Sequence, residues 1–176
     1  MERLHTKSLL LDPLSRDDFP WLFALYADPV VMRYIGTGPR DEAAARANLE
    51  WFMAQSRHPP FGYWVLRERG TGDGVGGAML MVRREGLPVE LGFLLAQSAW
   101  GRGLATEAAA AVIAHALGTL QVPLIEAFID VKNAASGAVL RKAGMRDQGL
   151  CPGPYGGTDR KFALTRDDWL AGREGA

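Results

Sequence analysis

The sequence predicts a layered α/β (α+β) fold, and three observations predict it. Helical spacing dominates the first third of the chain, an alternating meander follows, and from Val89 onward strands alternate with helices. The chain has 176 residues, room for a single domain over 1–176 with a sizeable core. Hydrophobic residues make up 48% and charged residues 23%, with a mean hydropathy of −0.05, values that exclude a disordered chain and an integral membrane protein.

Leu9 to Leu11 reads as a short opening strand ended by Asp12-Pro13. Ser15 or Asp17 can cap the helix that follows to about Tyr26, with Trp21, Leu22, Leu25 and Tyr26 at helical spacing. Asp28-Pro29 starts a second short helix through Val30, Val31 and Tyr34, because proline suits a first helical turn. Gly36 to Pro39 punctuates the chain, and a third helix runs from Asp41 to about Gln55. Tyr63 to Glu68 and Val75 to Val82 flank a Thr71 to Gly74 turn, which is the pattern of a hairpin. Val89 to Leu95 is a strand whose alternation puts Glu90, Gly92 and Leu94 on one face and Val89, Leu91, Phe93 and Leu95 on the other. The alanine-rich run from Leu104 to Leu117 is helical by propensity, with Gly118 as its expected C-cap. Leu124 to Ile129 reads as a strand and Ala134 to Ala143 as a helix closed by Gly144. Phe162 to Leu164 is a last strand before a turn at Asp167-Asp168-Trp169, whose acidic pair also fits a helix start.

Lys+Arg 20 and Asp+Glu 20 cancel, so the chain lacks the positive field that drives sequence-independent binding to nucleic acid. Cys151, the one cysteine, has no intramolecular partner, and His5, His58 and His115 are too scattered for a zinc site, so no metal is expected. The N-terminal stretch holds only a three-leucine run where a signal peptide needs an apolar region of about 7 to 15 residues. A cytoplasmic location away from membranes is therefore expected.

Glycine is in excess, 21 residues or about 12% against a usual ~7%, and it clusters at 70–77, 101–103 and 153–157. The most informative cluster is Trp-Gly-Arg-Gly-Leu-Ala-Thr-Glu-Ala, Trp100 to Ala108, between a strand and a long helix. A helix start exposes unpaired N–H groups and the positive end of the macrodipole, a setting suited to phosphate. The same glycines also fit a turn needed only for chain reversal. A dinucleotide fingerprint fails because Thr106 stands where its third glycine belongs, and a P-loop fails for want of Gly-Lys-Ser/Thr.

The loop resembles the acetyl-CoA loop of the GCN5-related N-acetyltransferase (GNAT) family: Gln or Arg, two residues, Gly, one residue, then Gly or Ala. Here the pattern falls on Trp100, Gly103 and Ala105, with tryptophan in place of Gln or Arg. The Trp-Gly-x-Gly-x-Ala-Thr-Glu-Ala form is similar to that of the RimJ/RimL-like branch, which acetylates ribosomal-protein N-termini. Val-Glu-Leu-Gly-Phe-Leu-Leu resembles the preceding family strand. Asn133 to Met145 resembles the Asn-x-x-Ser helix that ends in Gly-Phe, with Met145 a volume-tolerant replacement for the phenylalanine. From the opening leucines to Trp169 the resemblance covers nearly the whole chain.

The resemblance implies a mixed, mostly antiparallel sheet of six to seven strands, with flanking helices and two central parallel strands, Val89 to Leu95 and Leu124 to Ile129, that splay apart. It implies acetyl-CoA as cosubstrate, its pantetheine arm entering the splay against the backbone of Phe93, Leu94 and Leu95. Its pyrophosphate would lie on Gly101, Arg102, Gly103, Leu104, Ala105 and Thr106. Acetyl transfer to an amine needs a deprotonated nucleophile, a polarised thioester carbonyl and a donor for the leaving thiolate. Glu90 is the candidate base, set against a solvent-facing strand carboxylate. Ser136 and Tyr155 are the candidate donors near sulfur, set against a helix-start serine and a tyrosine that packs its loop. Asn133 either caps its helix or binds pantetheine, and Ser136 shares the cofactor contact. Arg102 equally fits an exposed loop arginine. His115 reads as a packed histidine, Cys151 lacks an evident base for covalent catalysis, and Trp21, Trp51 and Trp64 read as core or groove wall.

The expected activity is N-acetylation of a primary amine, a peptide N-terminus or a small molecule, by direct attack in a ternary complex. An uncharged or mildly cationic acceptor is expected, held by Ile35 to Arg40, the helix after it and the loop around Tyr155. A homodimer is left open. The competing reading is an acyl-CoA-binding sensor or partner-binding module without catalysis.

Overall fold

The computed structural model describes residues 1–56, 58, 61–82, 86–153 and 156–174. Among them eight strands share one sheet: β1 (Leu4–His5), β2 (Leu9–Pro13), β3 (Gly62–Glu68), β4 (Gly74–Met81), β5 (Val89–Leu95), β6 (Leu124–Asp130), β7 (Arg146–Pro152) and β8 (Thr158–Thr165). Their spatial order is β1-β2-β3-β4-β5-β6-β8-β7, and every neighbouring pair is antiparallel except β5 and β6. The sheet therefore exceeds the expected six to seven strands, by β1 and β7. Both are edge strands without apolar alternation: β1 has two residues, and β7 reads Arg-Asp-Gln-Gly-Leu-Cys-Pro with most positions exposed.

Strand alternation divides the core in two. Leu9, Leu11, Leu66, Val89, Leu91, Leu95, Ile125, Ala127 and Phe162 face helices α3 (Leu104–Ala114) and α4 (Ala134–Lys142). Tyr63, Val65 and Leu94 face α1 (Phe19–Ala27) and α2 (Glu42–Gln55) on the other side. The alanines of α3 and of the turn after it, with Ala108, Ala109 and Ala116 fully buried, let that helix lie close on the sheet. Close approach also explains Gly77, where an added Cβ would lie 2.1 Å from the Tyr63 hydroxyl.

The helix starts follow from short polar side chains. Ser15 opens a 3-10 turn, Arg16–Asp18, ahead of α1, its N–H and hydroxyl donating to Asp18 at 2.9 and 2.8 Å. Asp41 accepts the Ala44 N–H at 2.8 Å, and Asn133 accepts the Ser136 N–H at 3.1 Å. The expected second short helix is a 3-10 turn, Val31–Tyr34. At Asp167-Asp168-Trp169, which fits a turn or a helix start, the chain takes the helix, α5 (Arg166–Glu174), with both acids in its first turn. Thr165 and Asp168 cap it reciprocally, a pairing visible in Thr-Arg-Asp-Asp once the threonine is taken as the cap. Gly118 is not a C-cap. The helix runs past it as a π-type turn, His115–Thr119, and Gln121 takes the left-handed conformation at φ 55°. Gly118 instead makes room for the Trp169 ring, 3.0 Å from where its Cβ would sit.

Candidate active site

The parallel strands β5 and β6 pair only at Val89 with Ile125 and Glu90 with Glu126. Beyond that point they diverge, while β5 stays paired to β4 through Leu95 and β6 to β8 through Asp130. Inward-pointing N–H and C=O groups of 91–95 and 127–130 are thus left without ladder partners. A cavity of about 590 Å³ opens there. It is lined from the α3/α4 side by Leu91, Phe93, Ala127, Ile129, Asn133 and Ser136, and from the α1/α2 side by Glu90, Leu94, Phe128, Arg40 and Trp51. Residues of both sheet faces line it, so the cavity passes through the sheet.

On the α3 side the chain leaves β5, turns through a 3-10 segment, Gln97–Ala99, and enters the helix at Gly103. Gly101 and Gly103 sit at φ 73° and 80°, a region costly to side-chain-bearing residues, and open space lies where a Cβ would be at each. The N–H groups of Leu104, Ala105 and Thr106 precede the first intrahelical bond, from the Glu107 N–H to the Gly103 carbonyl, and no cap side chain accepts from them. Trp100 donates its indole N–H to the Leu95 carbonyl at 2.9 Å and pins the loop to the strand end. These features fit a pyrophosphate and pantetheine arm: open space over left-handed glycines, unsatisfied donors at a helix start, and the unpaired strand edge next to them. Glu107, the acid of the first turn, is turned to the β1–β2 connection. Burial works against its ionisation, yet hydrogen bonds from Thr6, Ser8 and Leu9 hold its carboxyl below the usual range. The Arg102 guanidinium is ion-paired with Glu68 on the surface.

Glu90 is buried, 7% exposed, which excludes the solvent-facing alternative. It lies on the α1/α2 face at the apex of the splay, beside Glu126, whose carboxylate pairs with Lys161. Ser136 is half-buried in the first turn of α4 and lines the cavity together with Asn133. The Asn133 cap and its place on the cavity wall coexist, because its Oδ1 serves the Ser136 N–H. Tyr155 lies outside the described residues; its neighbour Gly156 lines the cavity.

The wall facing Glu90 was only partly legible in sequence. Ile35, Gly36, Arg40 and Phe52 fall in the expected segments, and Trp51 is groove wall at 42% exposure. Asn48 also falls in the expected helix, whereas Tyr26, Arg33, Tyr34, Met79, Met81, Asp130 and Asp159 line the cavity and were missed, since nothing in their local sequence announces convergence. Burial pushes the phenols of Tyr26 and Tyr63 up; their hydroxyls lie 3.4 Å apart, with the Arg40 guanidinium 4.8 Å over the Tyr26 ring. Asp28 accepts from Gln97 at 2.7 Å and from the Val30 N–H, which holds its carboxyl low and ties this wall to the turn that leads into α3.

The remaining candidates stay outside the cavity. His115 is buried edge-on to Trp64, which donates to the Glu2 carbonyl. Burial pushes the Cys151 thiol up, away from the reactive thiolate. Trp21 donates to the Gly74 carbonyl at 2.8 Å. Among the described residues no group of three or more His, Cys, Asp or Glu is placed to hold a metal ion, and no helix is long and apolar enough to cross a membrane.

Residues 8–146 match the family model of the acetyltransferase (GNAT) domain. The uncharacterized N-acetyltransferase p20 of Bacillus licheniformis is 26% identical over 152 residues, covering 85% of each chain. The acetyltransferase of Agrobacterium tumefaciens str. C58 superposes with a TM-score of 0.81 at 27% identity, over 93% of this chain and 94% of its own. RimL, the ribosomal L7/L12 α-N-protein acetyltransferase solved with coenzyme A, superposes with a TM-score of 0.82 at 14% identity, over 95% of this chain and 99% of its own.

Proposed function

The chain belongs to the GNAT acetyltransferases, enzymes that use acetyl-CoA, and from that premise we propose that it acetylates a primary amine by direct attack across the splay. The observation that carries this reading is the cavity through the sheet, with backbone donors at the strand edge and Glu90 on its wall. The Gly101 to Thr106 loop, with Arg102 beside it, holds the pyrophosphate. The edge formed by Phe93, Leu94 and Leu95, with Asn133 on the opposite side, holds the pantetheine arm. Acetyl-CoA supplies the acetyl group as a thioester.

Glu90 accepts the proton of the incoming amine, directly or through one water, so that the nitrogen lone pair reaches the carbonyl carbon. N–H groups of the open strand edge bond the thioester oxygen, whose negative charge grows as the C–N bond forms. Ser136, and Tyr155 from its loop, donate to the sulfur as the C–S bond breaks and the thiolate leaves. A buried, half-enclosed site strengthens each of these contacts relative to water.

The RimJ/RimL-like form of the glycine loop and the shape shared with RimL support a peptide N-terminus as acceptor, with small-molecule amines as the second class. The test is thiol release from acetyl-CoA across peptides and small amines, with Glu90→Gln beside wild type. Turnover that falls in the variant while acetyl-CoA still raises the melting temperature supports the reading. Binding of acetyl-CoA with no turnover on any amine overturns it in favour of a non-catalytic acyl-CoA module.

A further inference from the structure

Among the described residues the two walls of the acceptor half of the cavity carry charged side chains of opposite sign. The sheet contributes Glu90 on β5, Asp130 on β6 and Asp159 on β8, and the helical layer contributes Arg33 and Arg40. Asp130 and Asp159 are direct cross-strand partners, so the acidic groups are gathered on one side. The acids of the helical layer closest in sequence to the arginines are all engaged elsewhere. Asp28 holds Gln97 and the Val30 N–H, Asp41 caps Ala44, and Glu42 pairs with Arg46. Among the described residues neither Arg33 nor Arg40 has a carboxylate partner.

Arg40 is the better placed of the two. It is half-buried, its N–H donates to the Tyr26 carbonyl at 2.9 Å, and its guanidinium stacks on the buried Tyr26 ring. The described residues place no hydrogen-bond acceptor on its guanidinium N–H groups, which leaves them for a planar anion. A half-buried cation without a counter-charge is a costly arrangement that an anionic ligand relieves. Glu90 and Asp159 already have interactions of their own, so the discriminating charge is on the helical wall.

From this arrangement we infer that the acceptor carries a carboxylate close to its amine, the amine directed to Glu90 on the sheet wall and the carboxylate to Arg40, assisted by Arg33. This rests on the transferase reading and narrows it: the expected uncharged or mildly cationic amine gives way to a zwitterionic one. Two sources supply the same chemistry, the α-carboxylate of a free amino acid and the side chain of an Asp or Glu at a peptide N-terminus. A polyamine is disfavoured, because it would bring further positive charge against the arginines.

The test uses the full chain with acetyl-CoA and matched acceptors. Free amino acids are compared with their carboxamides, and amidated tripeptides starting with Asp or Glu with those starting with Asn or Gln. The carboxylate member of at least one series is expected to be preferred in kcat/KM by about tenfold or more, the usual scale of a charge-assisted bidentate contact. Arg40→Gln collapses that ratio to within about twofold, and Arg40→Lys retains part of it. Acetyl-CoA affinity, read from the ligand-induced shift in melting temperature, is unchanged in both. Preference confined to the amino acids or to the peptides supports the inference and identifies the source. Equal use of carboxylate and amide by wild type overturns it without any variant, and so does a preference that survives Arg40→Gln in folded protein. Turnover of no acceptor at all overturns the transferase reading itself, a result distinct from turnover without preference.

Discussion

On the α3 side the distinctive groups are backbone: the unpaired edge of β5 at the cavity and, past the end of that strand and outside the cavity lining, the left-handed glycines at 101 and 103 and the uncapped start of α3. On the α1/α2 side they are side chains, Arg33, Tyr34, Arg40, Asn48 and Trp51, delivered from separate turns and helices. Backbone donors can serve only a ligand with acceptors at fixed spacing, which suits a constant cosubstrate. Side chains can be exchanged singly without disturbing the fold, which suits a wall that chooses the acceptor. The Asp28–Gln97 contact joins the two.

The largest effect should come from breaking the backbone wall. Gly103→Val places a branched side chain in the open space over the loop and forces it into a left-handed residue, at a strain of about 1–3 kcal/mol. Wild type at a hundredfold excess of acetyl-CoA over Kd should gain about 2.7 kcal/mol, or roughly 5–10 °C in Tm for a chain of this size. The variant should keep a cooperative melt at lower temperature and lose the ligand shift; a full shift would show that the loop does not hold the cosubstrate. Next comes Glu90→Gln, with kcat down by about 10²–10⁴ if Glu90 is the base, and acetyl-CoA binding spared. Raising pH supplies free amine without help, so the deficit should shrink toward alkaline pH. A constant deficit across pH would assign Glu90 to acceptor positioning.

The same contrast explains what the sequence made legible. Backbone sites need glycine at defined spacing and a helix start, so Trp100 to Ala108 announced itself. Alternation in Val89 to Leu95 placed Glu90 and Leu94 on the face opposite Leu91, as found. The proposed acceptor wall has no such signature, because Arg40 becomes a candidate only when Tyr26 packs beneath it and its neighbouring acids find other partners. Edge strand β7 was illegible for a related reason: with much of it exposed, hydropathy does not alternate, and only the pairing to β8 defines it. Thr165 was overlooked as a cap because the acidic pair after it reads equally well as a turn.

A smaller effect separates the helix that follows the glycine loop from the loop itself. His115, at the far end of that helix, has burial pushing its imidazole below the ordinary 6.5, only partly opposed by Glu2, 3.8 Å away. The unfolded chain therefore takes up a proton near 6.5 that the folded chain refuses until lower pH. Stability is unaffected by this group above that point and declines as pH falls below it toward the folded value. His115→Gln should flatten that part of the Tm profile between pH 7 and 5 without changing the acetyl-CoA shift at pH 7.5. Parallel profiles for the two proteins would place the acid sensitivity elsewhere.

The smallest expected effect decides whether the cofactor wall is backbone alone. Arg102 stands beside the start of α3, yet its guanidinium is held by Glu68, whose carboxyl that contact keeps below the usual range. Both groups are at the surface, where such a pair is weak and readily exchanged. A bound pyrophosphate, with more charge than one carboxylate, should compete for the same guanidinium. Glu68→Gln would then lower the KM for acetyl-CoA by about two- to threefold at low salt, an advantage that fades as salt screens both partners. Arg102→Gln should raise KM by a similar factor, and the double variant should match Arg102→Gln, since the carboxylate acts only through the arginine. KM values that ignore all three changes would leave Arg102 as a fixed surface contact. The glycines and helix-start N–H groups would then be the whole of the phosphate site.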